Sequence, residues 1–284
     1  MGTQWENFLQ NLGVWNGTFT EFSPRGEWIK DTPSTLCLES FNDAQTVRLT
    51  LRRFLANPEG TGAPEVNELV RQYQSLGRDL LFFDCGAFSQ GSIQLAPFSE
   101  FGAEFSLLES DRRLRLVQLY NREGQLASLT LIREQRTQEN PLETPPLTLD
   151  ALLGEWQGEA VTLYPDWRSP DTYPTQLKLQ REGADRLVQT TAFGPGSSAK
   201  TFTSSAKIDG SILYFDQGSQ VVQVLLLPGG ASATSPLQLQ LRKSFFLEAG
   251  WLAAPDLRLR MIRTYSETGE WVSLTLVKER KINE

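Results

Sequence analysis

The sequence predicts an all-β protein built from two tandem copies of one antiparallel β domain. Three observations carry this. Residues 114–136 (LRLVQLYNREGQLASLTLIREQR) and 259–281 (LRMIRTYSETGEWVSLTLVKERK) align without a gap and agree at nine of 23 positions. Each stretch has a β-rich run, a turn ending in Gly124 or Gly269, and a second β-rich run, so each reads as a hairpin. Gly13-Val14-Trp15-Asn16-Gly17 and Gly154-Glu155-Trp156-Gln157-Gly158 then open the two copies alike. Repetition on this scale marks a tandem duplication. Finally, each copy holds about eight or nine short alternating or β-branched runs, a pattern that suits a closed barrel or a sandwich.

The elements follow in order. Trp5, Phe8, Leu9 and Leu12 fall at helical spacing after Thr3, with Glu6 placed to complete a capping box. Thr148 and Asp150-Ala151-Leu152-Leu153 repeat that short helix in the second copy. Glycine lets each chain turn sharply into its first strand, and tryptophan supplies a large plug for one end of a core. Pro24-Arg25-Gly26, Asn57-Pro58-Glu59-Gly60, Gly194-Pro195-Gly196, Asp209-Gly210 and Pro228-Gly229-Gly230 separate the strands. The stretch Glu65–Leu76 fits either a strand or a helix. Residues 137–147, TQENPLETPPL, carry three prolines and no periodicity, which predicts a linker between domains at 1–136 and 148–284. Loop insertions are expected at Asn57–Pro64 in the first copy, and at Pro228–Pro236 and Glu248–Pro255 in the second.

Composition excludes more than it selects. The chain has no histidine, which rules out Ser-His-Asp and Cys-His nucleophiles, a proximal-His haem and His-based zinc sites. The net charge of −7 shows no basic surface for a phosphate backbone, so no nucleic acid is expected as a partner. No apolar run approaches the length of a membrane span, and MGTQWENFLQ lacks the pattern of a secretion signal, so a cytoplasmic location is expected. Cys37 and Cys85 sit in no motif and read as free thiols acting as small buried hydrophobes rather than as redox or metal groups. No metal site, catalytic residue or required cofactor is visible, and a non-enzymatic role is expected. Asp84-Cys85-Gly86 and Asp216-Gln217-Gly218 read as turns rather than as paired catalytic carboxylates.

Candidate binding residues come from the duplication. Arg115 and Arg260 occupy the same place in both copies. Pointing inward, each would clamp a carboxylate; pointing outward, each would meet solvent or a loop. Tyr120 and Tyr265 end the same strands and would either donate to a ligand or pack there. Ser128 and Thr130, with their copies Ser273 and Thr275, alternate with Ala127, Leu129 and Leu131. The aliphatic face is the expected interior, which puts Arg133 beside the plug tryptophan. Trp251 lies next to Phe245, Phe246 and Leu247 in the second copy. It would either mark a ligand entrance near Arg260 or pack against the first domain.

Gly-x-Trp after a short helix, with a basic residue late in the final strand, resembles the calycin superfamily of lipocalins and fatty-acid-binding proteins. That resemblance implies two calycin-like barrels, each closed by a basic side chain over its tryptophan: Arg133 over Trp15 and Lys278 over Trp156. Such a cation–π contact contributes roughly 0.5–2 kcal/mol. The openings Gly13 to Gly17 and Gly154 to Gly158, with Arg115, Tyr120, Gly124 and Arg260, Tyr265, Gly269, are also similar to a family of two-domain calycin-like proteins of unknown function. Those occur in cyanobacteria and chloroplast-bearing eukaryotes and are distantly similar to phycobilin lyases of the S/U type. The resemblance implies binding of a small hydrophobic ligand, a bilin (linear tetrapyrrole) or a lipid. Its alternatives are a bilin lyase or chromophore chaperone with a phycobiliprotein partner, and an assembly module whose barrels are filled with side chains.

Overall fold

The computed structural model describes residues 2–56, 63–136, 144–194 and 199–282. The first domain contains α1 (Gln4–Leu9), β1 (Gly13–Phe22), β2 (Trp28–Phe41), β3 (Thr46–Leu55), β4 (Glu65–Tyr73), β5 (Leu80–Phe82), β6 (Phe88–Gly91), β7 (Phe101–Glu109), β8 (Arg112–Tyr120) and β9 (Leu126–Gln135). The second contains α2 (Leu149–Leu152), β10 (Gly154–Leu163), β11 (Asp171–Glu182), β12 (Arg186–Phe193), β13 (Lys200–Asp209), β14 (Ile212–Phe215), β15 (Val222–Leu226), β16 (Ala231–Pro236), β17 (Phe245–Ala254), β18 (Leu257–Tyr265) and β19 (Trp271–Ile282). The strands of the second domain form a closed antiparallel barrel of ten. The nine strands of the first run β4-β3-β2-β1-β9-β8-β7-β6-β5, a half-barrel whose β4 and β5 edges are not hydrogen-bonded to each other. Thr3 caps α1 with the expected box: its hydroxyl accepts from Glu6 N, and its N–H donates to the Glu6 carboxylate at 2.7 Å.

The Gly-x-Trp-x-Gly openings have a steric logic. Gly13 and Gly154 take φ of +121° and +111°, where a Cβ is strained. Gly17 and Gly158 lie in β1 and β10 opposite Glu134 and Glu279, and a side chain at either would run into the backbone carbonyl of Arg133 or Lys278. Between each pair of glycines the indole is buried. Trp15 Nε1 donates to the Asn11 carbonyl and Trp156 Nε1 to the Leu152 carbonyl, both at 2.9 Å.

Each barrel wraps a core around its tryptophan. In the first, Trp15 packs with Phe8, Leu36, Leu38, Val47, Leu80 and Phe82. In the second, Trp156 packs with Leu177, Leu179, Leu187, Leu213 and Leu226. The largest core lies in neither barrel. Leu114, Leu116, Leu129 and Leu131 on the outer face of β8 and β9 join Leu247, Trp251, Leu259, Met261 and Leu274 on the outer face of β17, β18 and β19. Phe101 contacts Phe245 and Tyr265 across this seam at 5.6 and 5.0 Å. The expectation that Leu129 and Leu131 point into the barrel is therefore corrected. Strict alternation defined two faces, and the aliphatic one was buried against the other domain.

The copies also exchange short backbone straps. Leu95 N donates to Gly269 O and Trp271 N to Ile93 O; Leu239 N donates to Gly124 O and Leu126 N to Leu237 O. Each hairpin turn is thus gripped by the other domain. A Cβ at Gly124 or Gly269 would press on the carbonyl of Leu239 or Leu95. Tyr120 Oη donates to Pro236 O at 2.8 Å and Tyr265 Oη to Ser92 O at 2.9 Å.

Three other expectations change. Residues 65–73 are strand, because β4 finds β3 as a pairing partner along its whole length. The expected insertions at Pro228–Pro236 and Glu248–Pro255 are largely the strands β16 and β17. Small residues (Ala231, Ser232, Ala233, Ala249, Gly250) let these two approach closely, and small polar residues hide a strand from a hydrophobic-pattern reading. Cys85 is exposed and Cys37 half-buried, so neither is a core hydrophobe, and both are free thiols. Within the expected insertion Asn57–Pro64, positions 57–62 lie outside the described residues, as do 137–143 of the linker and 195–196 of the Gly194-Pro195-Gly196 turn.

Because the seam is a true core, Leu116→Ala on the outer face of β8 is expected to cost about 2–5 kcal/mol, and Val14→Ala on an exposed strand position within about 0.5 kcal/mol. Urea unfolding followed by tryptophan fluorescence reads both.

Candidate functional site

With the aliphatic face turned outward, the opposite face of β7–β9 and β17–β19 lines the barrel interiors, and it is charged. In the first barrel Arg113, Arg115, Glu104 and Glu134 meet. Arg113 Nε donates to Glu134 at 2.8 Å. Arg115 donates to both oxygens of Glu134, at 3.0 and 2.9 Å, and to Glu104 at 2.7 Å. Arg113 Nη1 also donates to Asn11 Oδ1, which ties the cluster to the end of the helix segment. The second barrel repeats the four residues as Arg258, Arg260, Glu248 and Glu279. Arg260 donates twice to Glu248, at 2.7 and 2.9 Å, and Arg258 forms an ion pair with Glu279 at 3.4 Å.

The electrostatics follow from burial and pairing. Burial alone would raise the Glu134 carboxyl, but Arg113 and Arg115 outweigh it and hold it at about 2. Burial lowers Arg113 and Arg258. Burial also acts to lower Arg115 and Arg260, yet their carboxylate partners carry both above the ordinary guanidinium value. Burial pushes the Tyr265 hydroxyl up to about 12 against the opposing pull of Arg263, and raises Tyr120 as well.

The expected site residues distribute as follows. Arg115 and Arg260 point into the barrels and line cavities, but each already holds a protein carboxylate. Tyr120 and Tyr265 serve the domain seam. Trp251 is buried in that seam, with the Arg112 guanidinium 5.2 Å from its ring, and does not line the second barrel's cavity. The closure cations also differ from expectation. Arg113 and Arg136 stand over Trp15 at 4.1 and 4.4 Å, and Lys281 stands over Trp156 at 5.4 Å. Arg133 and Lys278 share the outward parity of Leu131 and Leu276. Arg133 reaches Thr20 and Lys278 pairs with Glu109 of the other domain at 3.0 Å. Arg263 is fully buried in the seam, stacked 3.4 Å from the Trp271 ring and donating to the carbonyls of Gly91 and Ser92. A signal for the charged clusters was present in the duplication: Glu134/Glu279 is one of its identities, and extending the alignment by one residue upstream adds Arg113/Arg258.

Above the charged floor of the second barrel opens a cavity of about 460 Å³. Leu177, Ile262 and Val277 line it with aliphatic side chains, Tyr173, Phe193, Phe202 and Phe246 form its aromatic side, Glu248, Arg260 and Glu279 its charged part, and Thr175, Thr191, Thr264 and Thr275 lie among them. Phe193 and Phe202 stack at 5.5 Å and are both solvent-exposed. The first barrel holds a smaller cavity of about 280 Å³, walled by residues such as Leu36, Leu51 and Phe88.

Comparison with known proteins fits this architecture. Residues 1–139 match the N-terminal domain of a family described as a domain of unknown function, DUF3598. A crystal structure of a DUF3598 protein of unknown function from Nostoc punctiforme is 55% identical, covers 99% of this chain and 100% of its own, and superposes with a TM-score of 0.90. The chain belongs to the DUF3598 family. Its residues 143–282 match the C-terminal domain of a family described as biogenesis factor required for ATP synthase 1. An S-type phycobiliprotein lyase from Guillardia theta aligns at 11% identity over 48% of this chain and 91% of its own, with a TM-score of 0.37. No curated protein matches the chain. Among the described residues no helix is long and apolar enough to cross a membrane, and no cluster of His, Cys, Asp and Glu has the arrangement to hold a metal ion.

The depressed Glu134 carboxyl gives a pH signature. Its folded value of about 2 lies below the unfolded value, so its stabilisation is present above roughly pH 4.3 and is lost as pH falls toward 2. Glu134→Gln is expected to remove that acid-dependent component. It should also cost about 3–5 kcal/mol at neutral pH, because Arg113 and Arg115 are left buried without their shared partner. Urea midpoints of both forms between pH 2 and 7 measure this.

Proposed function

We propose that this DUF3598 protein is a non-catalytic carrier of a small, largely apolar ligand, such as a bilin or a lipid, held in the second barrel. The observation that carries this reading is the cavity of about 460 Å³ with aliphatic walls and an aromatic side made of half-buried Tyr173 and exposed Phe193 and Phe202. Pockets of this size and lining suit compact organic ligands, with a few polar groups fixing orientation. The arginines do not offer a free clamp for an anionic head, since Arg260 is engaged by Glu248 and Arg115 by Glu104 and Glu134.

The neutral probe N-phenyl-naphthylamine tests the reading. Saturable fluorescence enhancement with one site per chain is expected. Thr191→Trp, which puts an indole into the cavity from a half-buried strand position, should abolish it without changing the melting temperature. Absence of saturable binding to the wild type would refute the carrier role.

A second reading, an assembly factor, is favoured by a separate observation. Among the described residues strand β4, nine residues long, has no strand on the side away from β3; it is exposed along nearly its whole length, with Val66 and Val70 both outward. An open edge of this kind accepts an extended segment by main-chain pairing. The family that matches residues 143–282 is described by a role in ATP synthase biogenesis. If this reading holds, Val70→Pro abolishes co-purification with an ATP synthase subunit and leaves probe binding intact.

A further inference from the structure

The two barrels contain the same four charged side chains but connect them differently, and the difference bears on what the larger cavity takes. In the first barrel Arg115 lies between Glu104 and Glu134 and donates to both, while Arg113 adds another N–H to Glu134. Glu134 therefore accepts three hydrogen bonds. In the second barrel Arg260 donates to Glu248 from Nε and from Nη2. Glu279, the counterpart of Glu134, keeps only the 3.4 Å ion pair with Arg258, and no hydrogen bond reaches it among the described residues. Its Oε1 is buried, with Arg258 Nη1 at 3.4 Å and no hydrogen bond from it or any other described donor; the residue is 1% exposed and lines the 460 Å³ cavity.

A buried carboxylate that lacks donors is costly, and a group that supplies one recovers that cost. The charge of the donor is set by the rest of the cluster. Arg258 and Arg260 balance Glu248 and Glu279, so the floor is neutral as it stands. A ligand carboxylate or phosphate would add an unbalanced negative charge beside two glutamates, and an ammonium would leave an unbalanced positive one; both are penalised where water is excluded. A neutral N–H or O–H meets the need of Glu279 without disturbing the balance. Ile262, Val277 and Phe246 around it demand that the remainder of the molecule be apolar.

We propose that the second barrel selects an uncharged, largely apolar molecule that donates an N–H or O–H hydrogen bond to Glu279. This rests on the carrier reading and specifies its ligand. The preference is opposite to that of a fatty-acid carrier, whose basic side chains receive an anion.

Three ligands with one alkyl chain separate the possibilities by isothermal titration calorimetry on the full chain: decanol, decyl methyl ether and decanoate. Decanol is expected to bind about tenfold more tightly than the ether, the effect of one hydrogen bond to a charged acceptor, with decanoate weakest. In the double variant Arg258→Met/Glu279→Met, which removes the ion pair together and leaves no lone buried charge, the alcohol and the ether should bind equally. Equal binding of alcohol and ether to the wild type would overturn the donor preference while sparing the carrier role. Tightest binding of decanoate would do the same. A preference for decanol that persists in the double variant would show that Glu279 is not the acceptor. Absence of binding by all three would overturn the inference and, together with a negative probe titration, the carrier role.

Discussion

The structure depends on the burial of one sheet face against its duplicate. The outer sides of β7–β9 and β17–β19 carry Leu114, Leu116, Leu129, Leu131, Leu259, Met261 and Leu274, and all are sealed between the domains. Apolar burial of this kind contributes about 25 cal/mol per Å² removed from water, so neither domain can present this face to solvent without a large loss. The exchanged straps, Ile93–Leu95 on one hairpin and Leu237–Leu239 on the other, fix the two faces in register. The identities that first reveal the duplication, Tyr120/Tyr265 and Gly124/Gly269, are seam residues: each tyrosine reaches a carbonyl across the seam, and each glycine leaves room for the partner's strap.

Turning the aliphatic side outward leaves the polar side of the same strands inside, and this is why both barrels enclose charge. An interior with two arginines and two glutamates is tolerable only if the four compensate one another. The first barrel achieves this with a shared carboxylate, Glu134, and the indole of Trp15 lies under the Arg113 guanidinium. The second barrel is bonded less completely and encloses the larger cavity. Duplication has thus produced one more fully satisfied barrel and one with spare acceptor capacity beside open space. Strands β10–β13 and β17–β19 of the closed ring line that space, whereas the half-barrel of the first domain leaves β4 as an edge.

Much of this was legible in the residues. The duplication, the all-β content, the capped helix before each first strand, and the burial of Trp15 and Trp156 follow from local patterns whose physics is local: hairpin turns need Gly124 and Gly269, and a buried indole needs a nearby carbonyl. The strand β16 was not legible, because Ala231, Ser232, Ala233 and Ser235 carry no hydrophobic alternation; β16 lies between β15 and β17, and Ala231 and Ala233 are buried in the inter-domain core. The helix-or-strand ambiguity of residues 65–73 was settled by pairing with the preceding strand β3, an interaction outside the segment's own periodicity.

By itself the sequence determined that the last two strands of each copy have two unlike faces, since side chains alternate across a strand. It did not determine which face is inside. A period of two is the same whether the apolar side meets a barrel interior or a second domain, and only the tertiary structure, by supplying that second domain, turned Arg113, Arg115 and Glu134 inward and Arg133 out. That one choice of facing moved the closure of the indoles to Arg113, Arg136 and Lys281, engaged Arg115 and Arg260 with protein carboxylates, and placed Glu279 at the wall of a cavity.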